Sequence, residues 1–409
     1  MESRKVIKGY VQALVFGLSI SAIGTGFYST AEAADWPNYR GPNYNGISNE
    51  TGWSAAWPEG GPEVLWKKSI GTGFASMAVS NGRVYATGNI KDNDILYCFD
   101  AKTGKEIWKK SYPCPLYKKN HEGGPSATPT VDGNAVYTFS KDGDAIRFNA
   151  ATGQIVWHKN LNKELGLKHP KWYFASSPFI IDNMVILNAG SRGIALNKAD
   201  GSVIWESGKD PTGYATAVPF TVDNKKCVAI FAAKEIVGVV AATGKIVWQF
   251  SWKTKYEANI GDPIISGNTI FISSGYNQGC ALLKIDGSSV TKLWRNKNMR
   301  NHFNSSVLWK GHIYGFDEKV LRCLDSKTGQ VKWSQQRLGK GSLMIADGKL
   351  IILSEKGKLV IAEASSQGFK ELSSAQILTG RCWTVPVLAN GKIYARNANG
   401  QLVCIDVSS

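Results

Sequence analysis

The chain has 409 residues, is 43% hydrophobic and 20% charged, and carries 43 Gly, 14 Trp and a formal net charge of +16. Frequent Gly, moderate charge and the absence of a low-complexity linker exclude a disordered chain and fit one large all-β unit. Beyond the first 33 residues no stretch is apolar enough for a membrane helix.

Residues 1–33 read as a secretory signal peptide. Arg4, Lys5 and Lys8 form a basic start, Val11 to Ile23 a short, mostly apolar stretch, and Ala31-Glu32-Ala33 an A-x-A cleavage site. The apolar stretch is too short to span a bilayer comfortably. No Cys occurs before Cys98, so a lipid anchor is not expected. Cleavage near Ala33 predicts a periplasmic or secreted protein without a transmembrane anchor. Residues 34–61, with Trp36, Trp53 and Trp57 among several Pro and Gly, predict an irregular N-terminal arm packed on the main domain.

From residue 62 onward a nine-residue pattern recurs. It runs Asp100 to Trp108, Asn149 to Trp157, Asn197 to Trp205, Val240 to Trp248 and Asp325 to Trp333. Weaker copies end at Trp294, after Asp286-Gly287, and at Leu372, where the Trp is lost. Alternating apolar residues precede each copy, as in Ile95 to Phe99, and predict a strand. The Asp or Asn side chain caps a turn, Gly supplies positive φ, and the next strand delivers a Trp for a seam between sheets. A strand-bearing period of 39 to 49 residues marks propeller blades.

Eight third strands are present, the last being Leu402 to Asp406, but only seven run on to a Trp or its substitute. The missing outer strand is found in Pro62 to Lys68, with Trp66 in the Trp position. The predicted fold is therefore an all-β, eight-bladed propeller of four-stranded antiparallel blades over residues 62–409. An N-terminal strand closes it and removes two exposed sheet edges. The seam tryptophans are Trp66, Trp108, Trp157, Trp205, Trp248, Trp294 and Trp333, with a structural role.

The Ala-x-Thr-Gly-x-x-x-Trp pattern and the blade count resemble the PQQ-like (quinoprotein-type) β-propeller repeat family. That family includes the propeller subunit of the outer-membrane barrel assembly machinery (BamB) and the quinoprotein alcohol dehydrogenases. Trp36 to Gly46 also resembles the N-terminal arm of exported PQQ-repeat proteins. The resemblance spans nearly the whole chain after the signal and implies the fold more than any activity. It implies that a dehydrogenase would carry an adjacent Cys pair and acidic and Asn ligands for calcium, and in some members a C-x-x-C-H haem site. This chain has no adjacent Cys pair and no C-x-x-C-H.

Seven Cys leave at least one unpaired within the chain. Cys98, Cys323 and Cys404 share a repeat position and predict buried fillers; Cys114 and Cys382, in loops or strand starts on one face, are the candidate disulfide pair. Charge is unevenly spread. The eight connections from one blade to the next hold 19 Lys/Arg against 5 Asp/Glu, which predicts a basic funnel mouth that attracts anions. Just above a ring of small residues at the inner-strand starts, polar and aromatic side chains gather. The candidate funnel-mouth residues are His121, Trp172, Tyr173, Tyr214, Asn259, Asp262, Arg300, His302, Asn304, Lys340, Arg381 and Trp383.

No nucleophile elbow, P-loop or zinc pattern occurs. The expectation is a non-catalytic exported scaffold, without cofactor or metal. Its partner would be a protein or an anionic polymer of the cell envelope, bound by a monomeric propeller. The alternative is a dehydrogenase holding PQQ with calcium, with Asp262 or Glu122 as base and Trp172 or Trp383 stacked on the quinone. Export sets aside nucleic acid, which charge alone would allow.

Overall fold

Each repeat folds into a four-stranded antiparallel sheet, and the computed structural model, which describes Met1, residues 34–119 and residues 121–409, contains eight of them. The rest of the expected signal segment lies outside the described residues. The sheets form the blades of an eight-bladed propeller. Blade 1 comprises Ala78–Ser80, Arg83–Ile90, Asn93–Asp100 and Glu106–Pro113. Blades 2 to 7 begin at the inner strands Thr130–Asp132, Phe179–Ile181, Val218–Val222, Ile264–Ser266, Val307–Trp309 and Ser342–Ala346. Blade 8 takes Val387–Ala389, Lys392–Arg396 and Gln401–Asp406 from the C-terminus and its outer strand, Val64–Ser69, from the N-terminal side. The ring closes as the strand count requires.

The recurring turn works as its residues dictate. Asp100 Oδ1 accepts the amide protons of Lys102 and Thr103 at 3.1 and 2.8 Å and the Thr103 hydroxyl at 2.8 Å. Gly104 has φ +67°, and a Cβ there would also lie 2.7 Å from the Trp66 ring of the preceding blade. Glycine is thus needed twice, for the turn and for the indole lying on it. The Trp nitrogens then stitch the blades together. Trp66 Nε1 donates to Ala101 O at 3.2 Å, Trp108 to Ala150 O at 3.0 Å, Trp157 to Lys198 O at 2.9 Å and Trp205 to Ala241 O at 2.8 Å. Trp294 and Trp333 donate likewise to Ser326 O and Ser365 O. Trp248 Nε1 is buried without a partner among the described residues. Its neighbour is the weak repeat, where a tight Asp286–Ser289 hairpin replaces the full turn.

The core lies between blades, as stacked aliphatic and aromatic clusters such as Phe179, Ile186, Trp205, Val228 and Ile230. All seven cysteines are free and buried, so Cys114 and Cys382 form no pair.

The arm does more than pack on the outside. Trp36 bridges Val79 of the blade 1 inner strand, and Ile47–Ser48 pairs in parallel with Ile345 and Ala346 of blade 7. Between them, Tyr44 packs edge-on against Phe179 of blade 3 at 4.8 Å. Arg40 donates to Ser306 O before blade 6 at 2.9 Å. Farther along, Ser54 N donates to Val407 O and Ala55 O accepts from Ser373 Oγ. That places Ala55, between Trp53 and Trp57, beside the blade 7 outer strand, where the repeat has lost its Trp, and Lys349 of the same blade lies over the Trp53 ring.

Candidate functional site

Around the axis, the residues entering the inner strands form a belt of hydrogen bonds from blade to blade. Ser76 N donates to Thr128 Oγ1 at 3.0 Å, Thr128 N to Ser177 Oγ at 2.9 Å and Ser177 N to Thr216 Oγ1 at 3.1 Å. Thr216 N donates to Asp262 Oδ1 at 2.8 Å and Asp262 N to Ser305 Oγ at 2.8 Å. Small residues at this ring were expected for steric reasons. The structure adds that several supply the acceptor for a neighbouring blade's amide.

Above the belt opens a cavity of about 490 Å³. Tyr39 of the arm lines it at the level of the belt, beside Asp262 and Ser305. Burial and the neighbouring Asp262 push the Tyr39 hydroxyl up to about 12. Asp262 is the acidic member of the belt. Burial raises its carboxyl to about 6 against the opposing pull of Arg40, whose Nε lies 3.9 Å from Oδ2.

The upper wall is a chain of touching rings. Phe74 stacks on Trp383 at 5.6 Å, Trp383 on Phe303 at 4.0 Å and Phe303 on His302 at 4.2 Å. His302 meets Tyr276 at 4.7 Å, and Tyr276 lies parallel to Trp172 at 6.1 Å. Tyr214 accepts the Trp172 amide proton at 3.1 Å, and burial raises its hydroxyl pKa. His121 packs edge-on against Phe74, and burial lowers its pKa. On the other side Tyr173 contacts Tyr117 at 4.7 Å and lies under Lys141 Nζ at 4.6 Å. Tyr256 meets both Trp172 and Tyr276 edge-on, at 5.5 and 5.3 Å, and three of the lining rings sit on left-handed backbone, with φ +66° at Tyr173, +63° at Tyr256 and +52° at Tyr276. That conformation is costly for a bulky residue and concentrates at functional sites.

The expected cations sit differently from the loop count. Arg300 is clamped by Asp317, with Nε–Oδ1 at 2.6 Å and Nη2–Oδ2 at 2.8 Å. Lys340 lies 3.3 Å from Glu318 and 2.8 Å from His302 Nδ1. Burial alone would raise the Glu318 carboxyl, but its bonds to His302 and Lys340 prevail and bring it to about 2. Arg381 pairs with Glu122 at 2.6 Å while its guanidinium lies over Trp383. The acids that answer Arg300 and Lys340 come from the Asp317–Val320 hairpin of blade 6, outside the connections whose charge was counted. The basic mouth expected from the loop count is thus offset by ion pairs at three of its named cations, Arg300, Lys340 and Arg381.

His121, Trp172, Tyr173, Tyr214, Asp262, Asn304 and Trp383 line the cavity. Asn259 does not. It is fully buried, donating to Ala232 O at 2.7 Å and accepting from Thr254 and Ser274 hydroxyls, and so holds a loop. Arg300, His302, Lys340 and Arg381 are not among the lining residues: His302 and Lys340 pack on the Phe303 ring, Arg381 packs on Trp383, and Arg300 is turned to Asp317. Phe74, Tyr117, Tyr256, Tyr276 and Phe303 also line the funnel. Phe303 adjoins two candidates, so proximity alone marked it. Tyr276 lies in a hairpin outside the inter-blade connections.

Asp262 and Glu122, the carboxylates proposed as quinone-side bases, are already engaged by Arg40 and Arg381. Among the described residues no group of three or more His, Cys, Asp or Glu is placed to hold a metal ion. The two carboxylates are thus held in ion pairs and are not the free bases that the quinone reading asks for.

Fold and funnel together define a PQQ-repeat propeller with one open, ring-lined face. A family profile described as outer membrane protein assembly factor BamB matches residues 48–170, 118–335 and 317–409, and the chain belongs to that family. It is 25% identical over 358 residues to outer membrane protein assembly factor BamB of Yersinia pestis, covering 83% of this chain and 77% of that one. Against the protein of the same name from Shewanella oneidensis it is 21% identical, covering 84% and 89%. The crystal structure of BamB from Moraxella catarrhalis superposes with TM-score 0.62 at 15% identity, over 83% of this chain and all of the other. Quinohemoprotein alcohol dehydrogenase from Comamonas testosteroni superposes with TM-score 0.66 at 13% identity, over 92% and 81%. At such identities the structural likeness speaks for the fold alone.

Proposed function

We propose that this protein is a non-catalytic binding propeller of the cell envelope, acting in outer-membrane protein assembly or a related envelope process. Its partner is a protein or an anionic envelope polymer, and the funnel face is the surface it offers. One observation carries this reading: a cavity lined by aromatic rings, of which Tyr173, Tyr256 and Tyr276 sit on left-handed backbone, with Tyr39 of the arm at its floor. Rings held at such conformational cost are binding equipment. The family relation and the expected signal segment support an envelope location, and among the described residues no helix is long and apolar enough to cross a membrane.

The test is complementation. A strain lacking the gene receives Trp172→Ala combined with Trp383→Ala, after melting curves show the variant folded. Failure to restore envelope integrity is the expected result; full restoration would overturn the funnel-face reading. Titration with PQQ and calcium, followed by tryptophan fluorescence, should give no saturable quenching. Tight, calcium-dependent quenching would replace this reading with the quinoprotein one.

A further inference from the structure

We propose that the funnel takes the end of a carboxylate-bearing saccharide chain, an inference that rests on the funnel face being the binding surface. The hydroxyls of Thr128, Ser177 and Thr216 are buried, line the cavity and each accept a backbone amide proton from the neighbouring blade. None of the three finds an acceptor for its own proton among the described residues. A hydroxyl whose lone pair is engaged and whose proton is not is a donor awaiting an oxygen. Three such donors on successive blades select a ligand rich in acceptor oxygens.

Charge on the same side of the funnel sets the sign of the ligand. Lys141 and Lys171 line this part of the wall. Lys141 is shared with Asp142 at 2.6 Å. Lys171 makes no ion pair among the described residues; its Nζ lies 4.1 Å from the centre of the Tyr256 ring and 5.5 Å from that of Trp172. An ammonium on ring faces beside a concave wall is placed to receive a carboxylate. The lining acid, Asp262, is turned to Thr216 and Arg40.

The rings set the body of the ligand. Pyranose rings present apolar C–H faces to aromatic side chains while their oxygens remain free for donors, which matches a ring-walled funnel over a floor of hydroxyls. A peptide would bring an N–H for almost every carbonyl, and this floor offers few acceptors for them. Tyr39 of the arm occupies the floor of the cavity, which suits a chain end better than a chain threaded along the axis.

The experiment is calorimetric titration of the whole protein with trisaccharides ending in glucuronate, galacturonate or N-acetylneuraminate. Their methyl esters, maltotriose and a hexapeptide with a free C-terminal carboxylate serve as comparisons. At least one acidic trisaccharide should bind, with its ester and maltotriose at least tenfold weaker. Lys171→Gln, a change at an exposed position, should weaken that binding at least fivefold and flatten its salt dependence. Equal binding of acid and ester, indifference to Lys171→Gln, binding of the peptide alone, or no binding would each overturn the saccharide assignment. Failed complementation by the double Trp variant would still uphold the funnel face in that event, so the two readings fail separately.

Discussion

The seams between blades and the funnel at their centre are both built on tryptophan and tyrosine, yet they obey opposite rules. At the seams one arrangement is copied. Six of the seven Trp nitrogens donate to a carbonyl in the next blade's turn, and the ring rests on a glycine wherever the turn is complete. In the funnel nothing is copied. The corresponding entry segments contribute Phe74, His121, Tyr173, Tyr214, Phe303 or Trp383, each with different partners. What recurs in every blade serves the wall, and what differs between blades is available to a ligand.

The sharpest way to break this comparison is to truncate one indole of each kind. Trp108→Ala, at a seam, should cost about 3–5 kcal/mol of unfolding free energy in denaturant titration. Trp172→Ala, in the funnel, should cost about 1 kcal/mol while removing the function tested by complementation. A seam variant as stable as the funnel variant would show that the distinction is false.

The arm gives the next largest effect, because it joins seam and funnel. Arg40→Met should destabilise by about 3 kcal/mol, since it leaves the Asp262 carboxylate buried without its cation. Adding Asp262→Asn should recover part of that loss, and a double-mutant cycle measures the coupling. Strict additivity would mean that the 3.9 Å pair does not act as one.

A third effect is set by pH at the funnel-side hairpin of blade 1. Burial raises the Asp94 carboxyl to about 6, against the opposing hydrogen bonds of Asn89, at 2.7 Å, and of the Cys114 thiol. A carboxyl raised on folding favours the folded state while protonated. The contribution is complete below about pH 4 and lost as pH rises through 6, amounting to at most about 3 kcal/mol. Asp94→Asn should flatten the stability profile across that window; an unchanged slope would assign it to other groups such as Asp262.

The smallest effect tests the seam itself. Trp205→Phe should cost about 1 kcal/mol more than Trp248→Phe, because only the former loses an indole hydrogen bond. Equal costs would mean that packing alone sets the seam.

The amino-acid pattern by itself determined the wall. Strand alternation, the capped turn, its glycine and the Trp are local or recur at a fixed period, so eight blades and a closing strand within Pro62 to Lys68 follow from the pattern, and the strand forms at Val64–Ser69. Buried cysteines at one repeat position were legible for the same reason. Lining residues next to the inner strands, such as Trp172, Tyr214 and Trp383, were also legible, because the period says which loop tips meet. Only the tertiary structure decided that Asn259 supports a loop from within, and that Tyr276 joins the ring chain from a different hairpin. It alone showed that Asp317 and Glu318 neutralise Arg300 and Lys340, and that the arm runs beneath the axis to put Tyr39 in the floor. These are contacts between segments far apart in the chain, set by side-chain reach and by the competition of each charge for the nearest opposite one. A repeat period records where strands go, and it carries no term for which side chains then find each other across the axis.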